Sequence, residues 1–231
     1  MNPLALTLLF AAVVHAEPEW VASVPGHDAR MIAGGESFAA MVHDSPKITK
    51  LRFFPTPHPN EIPSGPALTI HWGGIDPATE FSQVHAIGAV YSTLRLNDAT
   101  MTRTMLVNGK DRAVFIHLLA NKPGALSFRI GIGEAAEVEN RRDLVLADPA
   151  CRVTIWPFES EVTPEAHAIS VRGEGEALIV WNFGPASLWD DLAKRYDPGI
   201  TPPNPAKIWL GLYNDQALAA IPPLEQTPPP H

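Results

Sequence analysis

Hydrophobic and polar residues alternate most regularly between residues 101 and 132. Two runs of alternating apolar residues follow one another: Val114, Ile116, Leu118 and Ala120, then Leu126, Phe128, Ile130 and Ile132. A two-residue period with one apolar face is typical of strands that cover a core. Asn108-Gly109, a turn-forming dipeptide, joins the segment Met101 to Val107 to the first run, and Pro123-Gly124 lies in the turn between the two runs. The pattern predicts an antiparallel three-stranded meander over 101–132.

Shorter apolar runs predict more strands on both sides of the meander. They are Met31 to Gly35, Ser37 to Val42, Ala67 to Trp72, Arg152 to Trp156, Ala177 to Trp181 and, as an edge strand, Lys207 to Tyr213. The rest of residues 17–66 is predicted to be irregular, with an extended proline-rich run at 54–59. Short strands between Gly- and Pro-containing turns predict a mainly β fold, an antiparallel β-sandwich with one C-terminal helix and a Pro-rich tail.

The helix is predicted over residues 187–196. Ser187 is a candidate N-cap, Leu188 and Leu192 lie one turn apart, and Pro198-Gly199 follows the end of the pattern. We expect this to be the longest well-capped helix of the mature chain. Its two leucines are expected to pack on the sandwich.

The first residues have the pattern of a secretory signal. Leu4 to Val14 is apolar, and Val14-His15-Ala16 fits cleavage after Ala16. The expected location is therefore secreted or periplasmic. The predicted organisation is a signal peptide at 1–16, a β-sandwich domain at 17–185, a helix and edge-strand extension at 186–221 and a Pro-rich tail at 222–231.

Composition narrows the classes of partner. The chain has 25 acidic and 17 basic residues and a net charge of −8, which disfavours nucleic acid and anionic lipid as partners. The run Leu4 to Val14 is too short for a transmembrane helix, and no second apolar run is long enough to span a bilayer. The single cysteine, Cys151, lies beside apolar residues and is predicted to be buried and unreactive. The sequence has no Gly-x-Ser-x-Gly elbow and no His-x-x-x-His zinc pair, so no cofactor or metal is predicted.

The six tryptophans are the most prominent candidate binding groups. Trp156 and Trp181 lie within apolar strands and are predicted to be buried. Trp72 stands at a strand end beside Gly73-Gly74. An exposed indole can stack on a sugar ring, so Trp72 is the predicted carbohydrate-binding residue.

Carboxylates are the candidate catalytic groups. They are Glu134, Glu137, Glu139, Glu159, Glu161 and Glu165. Glycoside hydrolysis needs two carboxylates that converge in space, and spacing along the chain selects none of these. Solvated loop charges are the alternative interpretation.

Three segments carry a resemblance to a known family. Tyr91 to Ala99, Leu118 to Phe128 and Val171 to Leu178 resemble the N-terminal β-sandwich domain of the α-L-fucosidases of glycoside hydrolase family 95. In that family a helical barrel after the sandwich carries the chemistry. The resemblance implies a sandwich without that catalytic barrel, and no catalytic residue is carried over from it.

The sequence therefore favours a non-catalytic carbohydrate-associated or scaffolding module. Its expected partner is a carbohydrate ligand or a glycoside hydrolase catalytic chain. Two alternatives stay open. One is a reduced secreted glycoside hydrolase that uses loop carboxylates, and the other is a structural or interaction protein of the envelope.

Overall fold

Two antiparallel sheets face each other across one core. The computed structural model describes residues 21–23, 30–33, 38–54, 66–73, 80–86, 89–95, 99–147, 150–157, 161–173, 175–184 and 186–219. Within these residues sixteen strands form two eight-stranded sheets. The predicted mainly β fold and β-sandwich are confirmed.

The first sheet contains β1 Val21–Ser23, β2 Arg30–Ala33, β3 Ala39–Asp44, β4 Ile48–Phe54, β5 Ala67–Trp72, β10 Leu126–Gly131, β14 Glu161–Pro164 and β15 Ala168–Gly173. Its strand order is β1-β2-β3-β4-β5-β10-β15-β14. The second sheet contains β6 Glu80–Ala86, β7 Ala89–Arg95, β8 Thr100–Asn108, β9 Ala113–Ala120, β11 Glu137–Glu139, β12 Asp143–Ala147, β13 Ala150–Pro157 and β16 Glu176–Phe183. Its order is β11-β12-β13-β16-β9-β8-β7-β6.

The core lies between the sheets and is filled by the inward-facing side chains of both sheets. Leu51 and Ile70 of the first sheet and Met105 and Ile116 of the second are at most 1% exposed. Trp181 of β16 is fully buried, and its ring centroid lies 3.7 Å from that of Phe53 on β4. Burial of one face of each sheet against the other is the main stabilising term of such a fold.

The predicted three-stranded meander is confirmed for two strands and wrong for the third. β8 and β9 pair as neighbours, but β10 pairs with β5 and β15 in the opposite sheet. The turn before β10, where Gly124 has φ +78°, carries the chain across the core. Because β9 and β10 face the same core from opposite sides, each has apolar residues at every second position, and this does not reveal that they belong to different sheets.

The turn between β8 and β9 is longer than the predicted two-residue hairpin. Asn108 pairs with Ala113, so four residues form the loop. The left-handed residue is Arg112, at φ 48°, and the Asn108 side chain accepts a hydrogen bond from the Asp111 amide at 2.9 Å. The side-chain bond of Asn108 replaces the tight turn that the Asn-Gly pair predicted.

Five of the shorter predicted strands are confirmed, and several strands were missed, namely β1, β4, β6, β11, β12 and β14. The strands predicted within 31–42, at 67–72, at 152–156 and at 177–181 correspond to β2 and β3, β5, β13 and β16. β4 lies in the segment predicted to be irregular. Its inward Leu51 and Phe53 alternate with Lys50 and Arg52, and this charged outer face concealed the strand.

Two helices follow β16: α1 Trp189–Tyr196 and α2 Pro205–Ala219. The first was predicted, but Leu188 occupies its N-cap position, and Ser187 accepts a hydrogen bond from the Trp189 amide at 3.2 Å. The predicted cap is therefore one residue away from the cap position. Leu192 is fully buried and Leu188 packs beside it, as predicted. The prediction that this helix is the longest is wrong, because α2 has fifteen residues and α1 eight.

The predicted edge strand over Lys207 to Tyr213 is wrong, because these residues belong to α2. Ile208 and Leu212, one helical turn apart, are at most 2% exposed. Asn204 accepts a hydrogen bond from the Ala206 amide at 2.9 Å through its side chain. An Asn cap followed by Pro205 is a helix-start signal. The strand prediction gave more weight to the β-forming residues between Lys207 and Tyr213.

The corner between the helices depends on Asp197, which is 3% exposed. Its carboxylate accepts hydrogen bonds from the Asn204 amide at 2.8 Å and from Lys207 Nζ at 3.0 Å. These two bonds lower the pKa of Asp197, the amide bond being the larger cause. The ionised carboxylate therefore ties the end of α1 to the start of α2.

Replacing Asp197 with Asn is expected to destabilise the protein most at neutral pH. A carboxyl whose pKa is depressed on folding stabilises the fold above its unfolded pKa of about 4, and this contribution disappears as pH falls through the folded value. Urea unfolding of wild type and Asp197→Asn between pH 2 and 7 gives the free energy of unfolding of each at each pH. Plotted against pH, the two free energies should converge below about pH 4. Exposed Asp190→Asn serves as the control, and curves that stay parallel would contradict the assignment.

The predicted signal peptide and Pro-rich tail, and residues 55–59 of the proline-rich run, lie outside the described residues. No helix in the described part of the chain is long and apolar enough to cross a membrane.

Candidate functional site

The outer faces of the two sheets differ in character. The outer face of the second sheet is apolar at its centre, where it forms a buried cluster with the helices. Its main members are Leu106, Phe115, Leu178 and Val180 from the strands and Trp189, Leu192, Ile208 and Leu212 from the helices. On the same face the His117 ring stacks on Trp209 with centroids 4.7 Å apart and lies 2.8 Å from the Glu176 carboxylate. The helices therefore cover the centre of this face.

The outer face of the first sheet is polar. Its strands alternate buried and accessible positions, and the accessible ones are His43, Lys50, Arg52, Thr69, His71, Ser127, Arg129, Ser170 and Arg172. Polar residues at alternate positions of an antiparallel sheet are typical of a solvated face. A ligand approaching the described part of the sandwich meets polar groups here and helices on the other side.

This polar face contains a cleft of about 610 Å³. It is lined by Thr69, His71, Arg129, Gly131, Gly133, Glu134 and His167. Strands β5 and β10 supply the first four residues, and the connections after β10 and before β15 supply the others. Residues far apart in sequence thus meet because β10 pairs with β5 on one side and β15 on the other.

Two glycines give the cleft its shape. A side chain at Gly131 would place its Cβ 3.2 Å from the His167 carbonyl oxygen, closer than an unstrained contact. Gly133 has φ +111°, a conformation that residues with a side chain rarely adopt. Together they keep this end of β10 open beside Glu134.

Arg129 is held in place by an ion pair. Its Nε donates to Glu165 Oε2 at 2.7 Å, and the Ser170 hydroxyl donates to Glu165 Oε1 at 2.5 Å. These two bonds, the serine first, lower the pKa of Glu165, so this carboxylate is ionised. Nε is the one nitrogen of Arg129 bonded among the described residues. The guanidinium is therefore oriented at one edge of the cleft while its remaining N–H groups can serve a ligand.

His167 has a defined tautomer when neutral. Its Nδ1 lies 2.9 Å from the Ala136 carbonyl oxygen, and a carbonyl can only accept, so Nδ1 carries the proton. The lone pair of the neutral ring then belongs to Nε2. Together with Thr69, His71 and Glu134, the cleft offers both donors and acceptors to a polar ligand.

No group of three or more His, Cys, Asp or Glu that could hold a metal ion occurs among the described residues. The cleft instead contains a fixed cation, two imidazoles, a carboxylate and a hydroxyl. This set suits hydrogen bonding to hydroxyl groups and pairing with an anion.

No protein-family model matches the sequence, and no curated protein matches it significantly. The resemblance to the N-terminal domain of glycoside hydrolase family 95 thus stays a prediction.

Trp72 does not have the exposure that its predicted role requires. It is 7% exposed, its Nε1 donates to Thr49 Oγ1 at 3.0 Å, and the Arg103 guanidinium lies 4.7 Å from its ring centroid. The reason is strand parity, because Trp72 follows Leu68 and Ile70 on the inward face of β5. His71, its neighbour in sequence, is the residue that reaches the cleft.

Around Trp72 lies a buried polar cluster that sequence reasoning missed. Arg103 of β8 pairs with Asp44 of β3 at 3.1 Å, and their side chains are 1% and 0% exposed. Ser92 donates to the same carboxylate at 2.5 Å, and Thr49 also donates to it. The cluster joins the two sheets through the core, and we define these residues with Trp72 as the buried polar cluster. The signal in the sequence was Arg103, a charged residue on the same strand face as the apolar Met101 and Met105.

Burial lowers the pKa of Arg103 to about 10, and the charge of Asp44 opposes this shift. The guanidinium therefore stays charged at neutral pH. Its Nη atoms donate to Thr49 Oγ1 at 3.1 Å and to the Ser45 carbonyl at 3.3 Å. The pair is thus hydrogen-bonded as well as buried, as a buried charge requires.

The candidate carboxylates do not gather at one place in the described structure. Glu134 lines the cleft, and Glu165 is bonded to Arg129 at the cleft's edge. Glu139 pairs with Arg152 at 2.6 Å on the other sheet, Glu137 lies on β11 and Glu161 on β14. Glu159 lies outside the described residues.

Cys151 and the strand tryptophans are placed as predicted, with one difference. Cys151 is fully buried, and burial raises the pKa of its thiol. Trp181 is fully buried. Trp156 is only partly buried, because it faces outward on β13 and stacks on Trp189 of α1 with centroids 4.0 Å apart.

Proposed function

We propose that this chain is a non-catalytic β-sandwich module that binds carbohydrate in the cleft on the outer face of its first sheet. The observation that carries the proposal is the contrast between the two outer faces. Helices cover the centre of the outer face of the second sheet, whereas the outer face of the first sheet holds a polar cleft of about 610 Å³. A cleft with convergent polar groups is the usual location of a small-molecule or oligosaccharide site.

The cleft supports recognition by hydrogen bonds rather than by aromatic stacking. The hydroxyl of Thr69, the imidazoles of His71 and His167 and the guanidinium of Arg129 can donate, and Glu134 can accept. A sugar carries several hydroxyl groups that each donate and accept, so it matches such a mixed lining. No tryptophan belongs to this lining, which moves the proposed site from Trp72 to these residues.

The hydrolase alternative finds less support in the cleft. Hydrolysis requires a protonated carboxylic acid and a second carboxylate on opposite sides of one bond. Glu134 is the one carboxylate among the lining residues, and the nearby Glu165 has a lowered pKa through Ser170 and Arg129. A lowered pKa is the opposite of what a general acid needs at neutral pH. The envelope alternative has no specific observation in its favour.

Replacing Thr69 with Leu is expected to weaken polysaccharide binding about tenfold, because it removes a hydroxyl and fills space over Gly131, its cross-strand partner. Affinity electrophoresis against a panel of neutral and acidic polysaccharides measures this. Thr163→Leu is the matched control, since Thr163 is exposed on the same sheet but does not line the cleft.

Three results would count against the proposal. Absence of binding to every polysaccharide in the panel would remove the carbohydrate function. Turnover of aryl glycosides that is abolished by Glu134→Gln would replace it with the hydrolase alternative. Equal weakening by Thr69→Leu and Thr163→Leu would place the binding site outside the cleft.

A further inference from the structure

We propose that the ligand of this face is a polysaccharide that carries one carboxylate per sugar ring, a polyuronate, lying across the strands of the first sheet. This inference rests on the proposed carbohydrate function and names the class of carbohydrate. It is carried by a second observation, which extends beyond the cleft.

The observation is a row of basic side chains, one on each of five adjoining strands. We call it the basic row, and it consists of His43 on β3, Lys50 on β4, His71 on β5, Arg129 on β10 and Arg172 on β15. All five occupy outward positions, and four of them are exposed while His43 is half-buried. The row crosses the cleft at two of its lining residues, His71 and Arg129.

The register places these side chains next to one another. His43 pairs with Lys50, and His71 pairs with Arg129, as direct cross-strand partners. The steps from Lys50 to His71 and from Arg129 to Arg172 are diagonal, because Lys50 pairs with Thr69 and Arg129 with Ser170. Side chains at direct and diagonal positions on one face are near enough to contact one extended ligand.

The row suits a linear sugar polymer that crosses the strands obliquely. Adjacent strands lie about 4.8 Å apart, so the five strands span roughly 19 Å, and the two diagonal steps incline the row to the strands. A polymer that follows the row passes a basic group on every strand, and a carboxylate on each ring supplies an anion along the whole row.

The charge of this face contrasts with that of the protein. The whole chain carries −8, yet Lys50, Arg52, Arg129 and Arg172 all lie outward here. Asp44 of β3 is buried against Arg103, so the remaining carboxylates on the described strands of this sheet and in the connection between β14 and β15 are Glu161 and Glu165, both at the β14 side of the sheet. Positive charge thus predominates on the β3–β5 side, and a locally positive face on an acidic protein selects anions by contact.

The density of the row favours carboxylated over sulfated sugars. Two of the five groups are imidazoles, and Glu134 also lines the cleft. A heavily sulfated chain with several charges per ring would need more cations at each step and would be repelled by Glu134. One charge per ring, with hydroxyl groups left to bond the cleft, fits the residues that are present.

The test compares polygalacturonate with its fully methyl-esterified form, which has the same backbone without the charge. Affinity electrophoresis of the full chain should give at least tenfold tighter retardation with the acid form, and the difference should shrink as salt is added. Dextran sulfate is included as a sulfated polyanion, and neutral polysaccharides test binding without charge.

Two charge-matched variants locate the interaction. Lys50→Gln/Arg172→Gln removes two cations from the basic row, and neither residue lines the cleft. Lys110→Gln/Lys194→Gln removes two exposed cations from the β8–β9 loop and from α1. The first is expected to weaken polygalacturonate binding about tenfold and the second less than about twofold. Thermal unfolding of each variant checks that the fold is retained.

The outcomes separate this inference from the proposed function. Equal affinity for polygalacturonate and its ester would overturn the polyuronate assignment and leave carbohydrate binding intact. Tighter binding to dextran sulfate than to polygalacturonate, or equal weakening by the two double variants, would also overturn the assignment. Binding to none of the polysaccharides would remove the proposed function with it.

Discussion

Replacing Arg103 with Met is expected to lower the free energy of unfolding by about 3–5 kcal/mol, the usual cost of removing one partner from a buried ion pair. The Asp44 carboxylate, with a side chain 0% exposed, would lose its positive partner. It would keep the hydrogen bonds of Ser92 and Thr49, which cannot neutralise its charge. Urea denaturation followed by tryptophan fluorescence measures the change.

A double variant distinguishes the loss of the partner from the loss of packing. Arg103→Met/Asp44→Leu removes both charges and is expected to recover most of the stability, because apolar residues of similar volume often replace a buried pair at little cost. Exposed Lys194→Met should change stability by less than about 0.5 kcal/mol. Equal losses in the single and double variants would show that the charge of Asp44 is not the source of the effect.

Replacing Trp189 with Ala is expected to cost about 3–5 kcal/mol, as for a large buried aromatic residue. Trp189 is 3% exposed and stacks on Trp156 of β13, with ring centroids 4.0 Å apart and planes inclined by 17°. It is the first residue of α1, and its cluster includes residues of β9 and β16. Hydrogen exchange should therefore quicken in α1 before it does in the sheets.

Trp189→Phe is the matched variant. The Nε1 of Trp189 is buried and has no hydrogen-bond partner among the described residues, so phenylalanine keeps an aromatic ring while it removes that unsatisfied donor. We expect a loss of about 1 kcal/mol or less from this exchange. A loss as large as that of Trp189→Ala would mean that a single six-membered ring does not replace the indole, and that the full stacking area on Trp156 is required.

Local patterns were sufficient to predict half of the sixteen strands. Each inward residue of β5, β9 and β16 is apolar, and an apolar residue at every second position is typical of a strand with a buried face. An apolar face does not tell to which sheet a strand belongs. β9 and β10 both present such a face to the core, and the turn at Gly124 and contacts far along the chain place β10 in the other sheet.

The C-terminal helix shows how a local preference can mislead. Ile208, Trp209 and Tyr213 favour strands when taken singly. In the structure Ile208 and Leu212 share the buried side of a helix, and Trp209 and Tyr213 pack beside them. The segment is helical because a helix can pack its apolar side on the apolar outer face of the second sheet. That face depends on residues over 80 positions earlier, such as Leu106 and Phe115.

The site was the least predictable part. The parity of β5 decides that Trp72 is buried and that His71 is exposed, and one position separates a core residue from a binding residue. Arg129, Glu134 and His167 meet through strand pairing between distant segments. No spacing pattern in the sequence predicts that these three residues meet, although the candidate carboxylates could be identified from the sequence.

The buried polar cluster also determines how the two sheets are aligned. Aliphatic side chains accept many neighbours, so two apolar sheet faces could slide by a residue pair and still exclude water. Arg103 reaches Asp44 and Thr49 at a single offset, and any other stacking would leave a charge without its counterion in the core. The ion pair thus selects one arrangement among several of similar burial.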